Sequence, residues 1–221
     1  MQKYVDLSHT IDPNNAGRKF ELKTIGADEV NPAVVRLENQ WYIMHDITMV
    51  SHIATHIEAP YHIMKNGQDL SQIPLETLCG DAVVLDLRGL TKASPITMDI
   101  IRKAAEKAGG IRQGDIVLCN LGYAHCYGQP EYQNSPYFLT ETIEYLANSG
   151  MKMMGVDASG VEIPRSEEHV NHIALLKRGI PLIENVNNLD LLTGPRCKVF
   201  AFPLAVKTLE SFPLRVVALI E

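Results

Sequence analysis

Short apolar or alternating runs recur along the chain, separated by amphipathic stretches and by clusters of Gly, Pro, Asn and Asp. Tyr4 to Ser8, Lys19 to Ile25 and Tyr42 to Val50 carry strand patterns, and Asp12-Pro13-Asn14-Asn15-Ala16-Gly17 is dense in turn residues. Ala82 to Leu87, Ile116 to Cys119, Lys152 to Asp157 and Ile180 to Asn185 predict further strands. From Thr97, apolar Met98, Ile101, Ala104, Ala105 and Ala108 recur at helical spacing, and Gly109-Gly110 supplies the stop. A second helix is predicted from Thr140 to Asn148. A third starts at Ser166-Glu167-Glu168, where acidic residues suit the macrodipole, and runs to about Arg178. Ile73 to Leu78 fits one or two helical turns, and Lys198 to Val206 and Leu214 to Ile220 close the chain as strands. Strands and helices alternating on a strand-rich frame predict an α/β fold.

One stretch interrupts this rhythm with chemistry. Ser51-His52-Ile53-Ala54-Thr55-His56-Ile57-Glu58-Ala59-Pro60-Tyr61-His62 holds three histidines and a carboxylate within eleven residues. In an extended chain alternate residues share a face, so His52, His56, Glu58 and His62 line one side and Ile53, Ile57, Tyr61 and Ile63 the other. On a helix, at ~100° per residue, Glu58 and His62 would fall well away from His56, and Pro60 opposes a helix interior. An extended chain is therefore predicted beyond Thr55. A fully straight strand fails at the other end: at ~3.3 Å per residue His52 and His56 would stand ~13 Å apart, too far to share one ion with bonds of ~2.1 Å. The stretch thus predicts a bend at Ala54-Thr55. A half-buried strand with merely hydrogen-bonded histidines is the ordinary reading of a lone histidine, but four convergent groups favour a metal site.

Composition narrows the classes. With 221 residues, 46% hydrophobic and 21% charged, the sequence is that of a globular protein, read here as a single domain spanning 1–221. A net charge of -6 and no basic run exclude a nucleic-acid surface. No stretch approaches the ~20 apolar residues of a membrane span, and Met1 to Asp6 lacks a signal-peptide core, so no membrane partner and a cytoplasmic location are expected. Cys79, Cys119, Cys126 and Cys197 form no Cys-x-x-Cys pair and are expected as free, mostly buried thiols. The irregular stretch 122–136, with Tyr123, His125, Tyr127 and Tyr132, reads either as a substrate cover or as a surface loop packed by its own tyrosines.

The histidine stretch resembles the His-x-Gly-Thr-His-x-Asp-x-Pro-x-His signature of the cyclase family of metal-dependent hydrolases, which includes bacterial kynurenine formamidases and isatin hydrolases. Ala54 stands where the signature has glycine, and Glu58 where it has aspartate. Asp6-Leu7-Ser8-His9 is similar to the family's opening, although His9 is left outside the site. Gly155 and Asp157 match a Gly-x-Asp-x-x-Ser-x-Asp pattern from which Gly160 and Glu162 depart, and Asp157, Ser159 and Glu162 are taken as supporting or structural. His172 and Glu184, flanking a Leu-Leu-x-x-Gly-Ile segment, resemble the family's distal metal pair.

The resemblance implies a swivelling β/β/α domain, usually a homodimer or homotetramer, acting on a small-molecule substrate. It implies His52, His56 and Glu58 around a first metal, and His172 and Glu184, with Glu58 bridging, around a second. Such nitrogen and oxygen donors suit Zn²⁺, one or two per chain, with Mn²⁺ as the alternative. His62 is expected as a catalytic proton carrier. The implied reaction is hydrolysis of a C–N bond in a small amide such as an aryl formamide. Lactone or lactam hydrolysis, cyclisation, or metal and ligand binding without turnover are the alternatives.

Overall fold

The computed structural model describes residues 2–14, 16–192 and 194–220. In chain order its strands are β1 (Lys3–Asp6), β2 (Phe20–Gly26), β3 (Ile43–Met49), β4 (His56–Glu58), β5 (Cys79–Asp86), β6 (Pro95–Ile96), β7 (Ile116–Asn120), β8 (Tyr137–Phe138), β9 (Met153–Val156), β10 (Leu182–Glu184), β11 (Arg196–Phe200), β12 (Ser211–Pro213) and β13 (Val217–Ile220). Its α-helices are α1 (Ala27–Val30), α2 (Leu75–Leu78), α3 (Met98–Lys107), α4 (Thr140–Asn148) and α5 (Val170–Leu176).

Nine strands form one mixed sheet in the order β1-β13-β11-β5-β7-β9-β10-β4-β12. Its centre, β5-β7-β9-β10, is parallel, as expected of strands joined through helices, and the flanking pairs are antiparallel. The first and last strands pair with each other, with Tyr4 opposite Leu219. Each face of the sheet is covered. On one side Val83, Val117, Met154 and Leu182 pack with Ile101, Ile143 and Leu175 of α3, α4 and α5. On the other, Ala82, Ile116, Met153 and Ile183 pack with Leu7, Ile57, Leu78 and Val216. These strands are apolar on both faces because both are buried.

The fold departs from sequence expectation in several places. The helix predicted from Ser166 starts only at Val170, because Pro164 precedes a segment in which Arg165 and His169 take left-handed φ of 66° and 47°. The strand predicted from Lys198 to Val206 is β11, which stops at Phe200: Pro203 offers no N–H, and Leu204 is 63% exposed. Leu214 to Ile220 yields β13 only from Val217, with β12 set before it. β2 and β3 are strands as predicted, but they pair only with each other in an outlying hairpin whose residues are mostly exposed. All four cysteines are free, two buried and two half-buried. Among the described residues no helix is long and apolar enough to cross a membrane.

Candidate metal centre

The centre lies where the parallel strand β10 ends against the antiparallel β4. Register sets Glu184 opposite His56, and Leu182 opposite Glu58. Cross-strand partners share a face, and so do residues two apart, so His56, Glu58 and Glu184 all point to the side that α5 covers, while Ile57 fills the opposite core. His172, on α5, closes the group from above.

The predicted bend is present: Ala54 has φ 50°, in the left-handed region, and turns the chain so that the rings of His52 and His56 come to 5.0 Å between centroids. The expectation of an extended chain as far as His62 is corrected. The strand lasts only from His56 to Glu58, and Pro60–His62 is a 3₁₀ turn. Proline, with φ fixed near -65° and no N–H, suits the first position of such a turn. His62 still returns to the same side, its Nε2 3.9 Å from Glu58 Oε1 and its ring 4.5 Å from that of His52.

Glu58 is the hub. Its Oε1 lies 2.9 Å from His52 Nδ1 and 3.6 Å from His56 Nε2, and its Oε2 lies 3.3 Å from His172 Nε2. Glu184 faces His56 Nε2 at 3.4 Å and His172 Nε2 at 3.4 Å. Donor atoms of His52, His56 and Glu58 lie within 4.8 Å of one another, as do those of Glu58, His172 and Glu184, so the two triads share one carboxylate. Glu162, His169 and His172 meet the same criterion, but there Glu162 is already bonded to His172.

The donor chemistry fits a cation. His56 Nδ1 donates to the Ala54 carbonyl at 2.9 Å, and His172 Nδ1 donates to Glu162 Oε1 at 2.8 Å. Neither acceptor carries a proton, so each imidazole, when neutral, turns an Nε2 lone pair toward carboxylate oxygens. Facing lone pairs need a proton or a positive ion between them. His56 Nε2 and Glu58 Oε2 are buried without a hydrogen-bond partner. Separations of 3.3–3.6 Å are close to the ~3.4 Å between two atoms each ~2.1 Å from one tetrahedral ion.

Electrostatics agree. Burial pushes the His56 pKa down, but the Glu184 and Glu58 carboxylates facing its Nε2 outweigh it and raise it to about 9. Burial acts likewise on His172, and Glu162, Glu184 and Glu58 lift it to about 12. Burial would raise Glu58, yet His172, His52 and His56 hold it far below the carboxylate range. Glu184, raised by burial and by the neighbouring Glu58 charge, is still lowered by His172 and His56. Buried carboxylates thus demand positive charge here, which protons or a metal ion can meet.

Several contributors have no local sequence signal. Glu210 faces His52 Nε2 at 3.3 Å and accepts a short hydrogen bond from Ser51 Oγ. Glu162 also accepts from the His172 backbone N–H, capping the start of α5 from ten residues upstream. Asp157 accepts from the backbone N–H groups of Leu121, Gly122 and Tyr123, which anchors the start of the 122–136 stretch. That stretch is packed by its own tyrosines, Tyr127 meeting Tyr132 edge-on at 5.5 Å, and it also walls a cavity that reaches His52 and Glu184. Ser159 lines this cavity and a second one beside His172. His9 stays outside, stacked on Tyr127 at 4.1 Å.

The Cyclase family model matches residues 5–163. The chain belongs to the cyclase family. The family is enzymatic, and relatives with the names of hydrolases surround this chain. It is 27% identical over 173 residues to kynurenine formamidase of Bacillus thuringiensis subsp. konkukian, covering 77% of each chain. To kynurenine formamidase of Erythrobacter litoralis it is 28% identical over 160 residues, 72% of this chain and 69% of the other. In fold it is similar to isatin hydrolase A from Labrenzia aggregata, with TM-score 0.84, 24% identity and coverage of 99% and 94%. Isatin hydrolase A from Ralstonia solanacearum gives TM-score 0.86, 21% identity and coverage of 100% and 92%. The cyclase match ends before His172 and Glu184, so the second triad rests on the geometry described above. Two departures from the family pattern meet at one ring: Glu58 and Glu162, each a methylene longer than aspartate, address His172 from its two nitrogens.

Proposed function

We propose that this chain is a metal-dependent hydrolase that cleaves the C–N bond of a small amide, of which an aryl formamide is the leading case. The observation that carries the reading is the pair of His/Glu triads sharing the buried Glu58, with Nε2 lone pairs turned onto carboxylates. In this reading His52, His56 and Glu58 hold one ion and Glu58, His172 and Glu184 a second. Histidine and carboxylate donors without thiolate favour Zn²⁺, with Mn²⁺ as the alternative. Such an ion, when bound, supplies Lewis acidity that lowers the pKa of water toward ~7 and polarises a carbonyl.

The chain's own residues supply the rest. Glu162 and the Ala54 carbonyl fix the tautomers of His172 and His56, so both present an unprotonated Nε2 to an ion. His62 is at the rim of the group and more exposed than the other candidate residues. Burial lowers its pKa, Glu58 opposing this in part, so it is neutral at pH 7. It can therefore take a proton from attacking water and return it to the leaving nitrogen.

The test is elemental analysis of purified protein, then reconstitution with Zn²⁺ or Mn²⁺ and assay against aryl formamides, isatin-like lactams and lactones. Metal-dependent release of formate from an aryl formamide supports the proposal. Metal binding with no turnover across the panel would point to a binding module, and failure to take up metal would remove the centre altogether.

A further inference from the structure

Arg18 stands beside the centre and is not used by the chemistry above. Its Nη1 donates to the backbone carbonyl of His52, which holds the guanidinium against the backbone of the histidine stretch. Arg36, Arg88, Arg178, Arg196 and Arg215 each pair with an acid; Arg18, like Arg102, Arg112 and Arg165, has no ion pair among the described residues, and of these four it alone lines the cavity that reaches His52 and Glu184. It lines a cavity of about 360 Å³ together with His52, Tyr127, Tyr132, Ser159 and Glu184. Among the described residues of that lining, it alone carries a permanent positive charge.

Three features of this cavity point to one kind of occupant. Its volume suits a single ring with small substituents. Tyr127 and Tyr132, in contact with each other, line it with aromatic surface that such a ring can pack against. The guanidinium carries five N–H donors in a fixed fork and spends one on a neutral carbonyl, so the others are available to a planar anion. Holding a backbone carbonyl does not itself require a charge; a neutral amide would serve.

We propose that Arg18 is a carboxylate anchor, so that the cavity takes small aromatic molecules bearing an acidic group in preference to neutral ones. The word substrate for such molecules rests on the hydrolase reading; the anion subsite stands on the position of Arg18. A carboxylate held by the fork would place the ring alongside Tyr127 and Tyr132, with the rest of the molecule toward His52 and Glu184.

The experiment is calorimetric titration of metal-loaded protein with 2-aminobenzoate and with its neutral isostere 2-aminoacetophenone, in wild type, Arg18→Gln and Arg18→Lys. Charge-assisted hydrogen bonds predict that wild type prefers the acid by roughly 10-fold or more. Arg18→Gln should erase that preference while leaving the neutral probe within about 3-fold, and Arg18→Lys should retain part of it, as a point charge without the fork. Equal affinity of wild type for both probes would overturn the proposal. So would equal weakening of both probes in Arg18→Gln, which would make Arg18 a clamp on the 51–54 bend. A preference for the acid that Arg18→Gln leaves intact would place the carboxylate elsewhere and also overturn it. Neither probe contains a scissile amide. An Arg18-dependent preference without any amide turnover would therefore retire the hydrolase and keep the subsite, whereas turnover without preference would retire the subsite alone.

Discussion

Asn185 holds Ala54 in place across the sheet: its side-chain amide donates to the Ala54 carbonyl at 2.7 Å, and both residues have left-handed backbones, with φ 56° and 50°. The same carbonyl receives His56 Nδ1, and Tyr132 donates its hydroxyl to Asn185 Oδ1 at 2.8 Å. Thr55 Oγ1 adds a bond to the Asn185 carbonyl at 2.6 Å. A strained bend is thus clamped from three sides, and the clamp orients one of the candidate metal-binding histidines.

Ala54 is the natural place to test that strain. A left-handed alanine costs ~1–2 kcal/mol, which glycine relieves, but glycine also loses a buried methyl and adds ~0.4–1 kcal/mol of unfolded-chain entropy. Ala54→Gly should therefore change stability by less than about 1 kcal/mol in urea denaturation. Ala54→Val, β-branched and buried in the same bend, should cost more than about 2 kcal/mol.

Glu58 faces all three of His52, His56 and His172, so its charge matters more than its length. Glu58→Gln is expected to lower metal affinity by more than about 100-fold, measured by competition with a chromophoric chelator. Glu58→Asp should keep the metal and alter activity, because the shorter carboxylate draws back from His172. Normal metal content and turnover in the Gln variant would remove Glu58 from the centre.

For His62 the expectation is a split between metal and rate. His62→Ala should retain its metal and its unfolding midpoint while kcat falls roughly 10² to 10⁴-fold, the usual worth of a proton carrier. Loss of metal in this variant would assign His62 to the ion instead.

Glu162 is expected to act through His172, whose Nδ1–H it accepts. Glu162→Gln should weaken metal binding by roughly 10 to 100-fold without removing a donor atom. An unchanged affinity in the chelator competition would reduce Glu162 to its helix-capping bond.

His9 supplies a pH signature of folding. Burial lowers its pKa from 6.5 to about 4, and its Nε2 is buried without a partner. Between those pH values the unfolded chain binds the extra proton, so this contribution to stability is complete above pH 6.5 and is lost as pH falls toward 4. Allowing for partial exposure, it amounts to about 1–2 kcal/mol. His9→Phe, which keeps a ring against Tyr127, should flatten the melting-temperature profile between pH 4 and 6.5 relative to wild type. Parallel profiles would show that His9 is not the group responsible.

Much of this protein is written in local pattern. The apolar runs located the central strands, Gly109-Gly110 ended α3 where expected, and the alternation from His52 to Glu58 put His56 and Glu58 on one face. The bend at Ala54 followed from reach alone, since two histidines four residues apart cannot share an ion on a straight strand. His172 and Glu184 were legible only through resemblance, because a histidine on a helix and a glutamate ending a strand are commonplace by themselves.

Tertiary structure decided what lies beside what. Glu184 meets His56 because β10 and β4, distant in sequence, pair in one antiparallel register. Asn185 reaches Ala54 across 131 positions, and Glu210 reaches Ser51 across 159. Left-handed Arg165 and His169 shorten α5, and Glu162 bonds the His172 backbone from ten residues upstream, neither of which the acidic composition of Ser166 to Glu168 foretells. Periodicity and turn chemistry act over a few residues, so they fix the face on which a side chain emerges. The partner it meets there is set by strand order, which no local preference encodes.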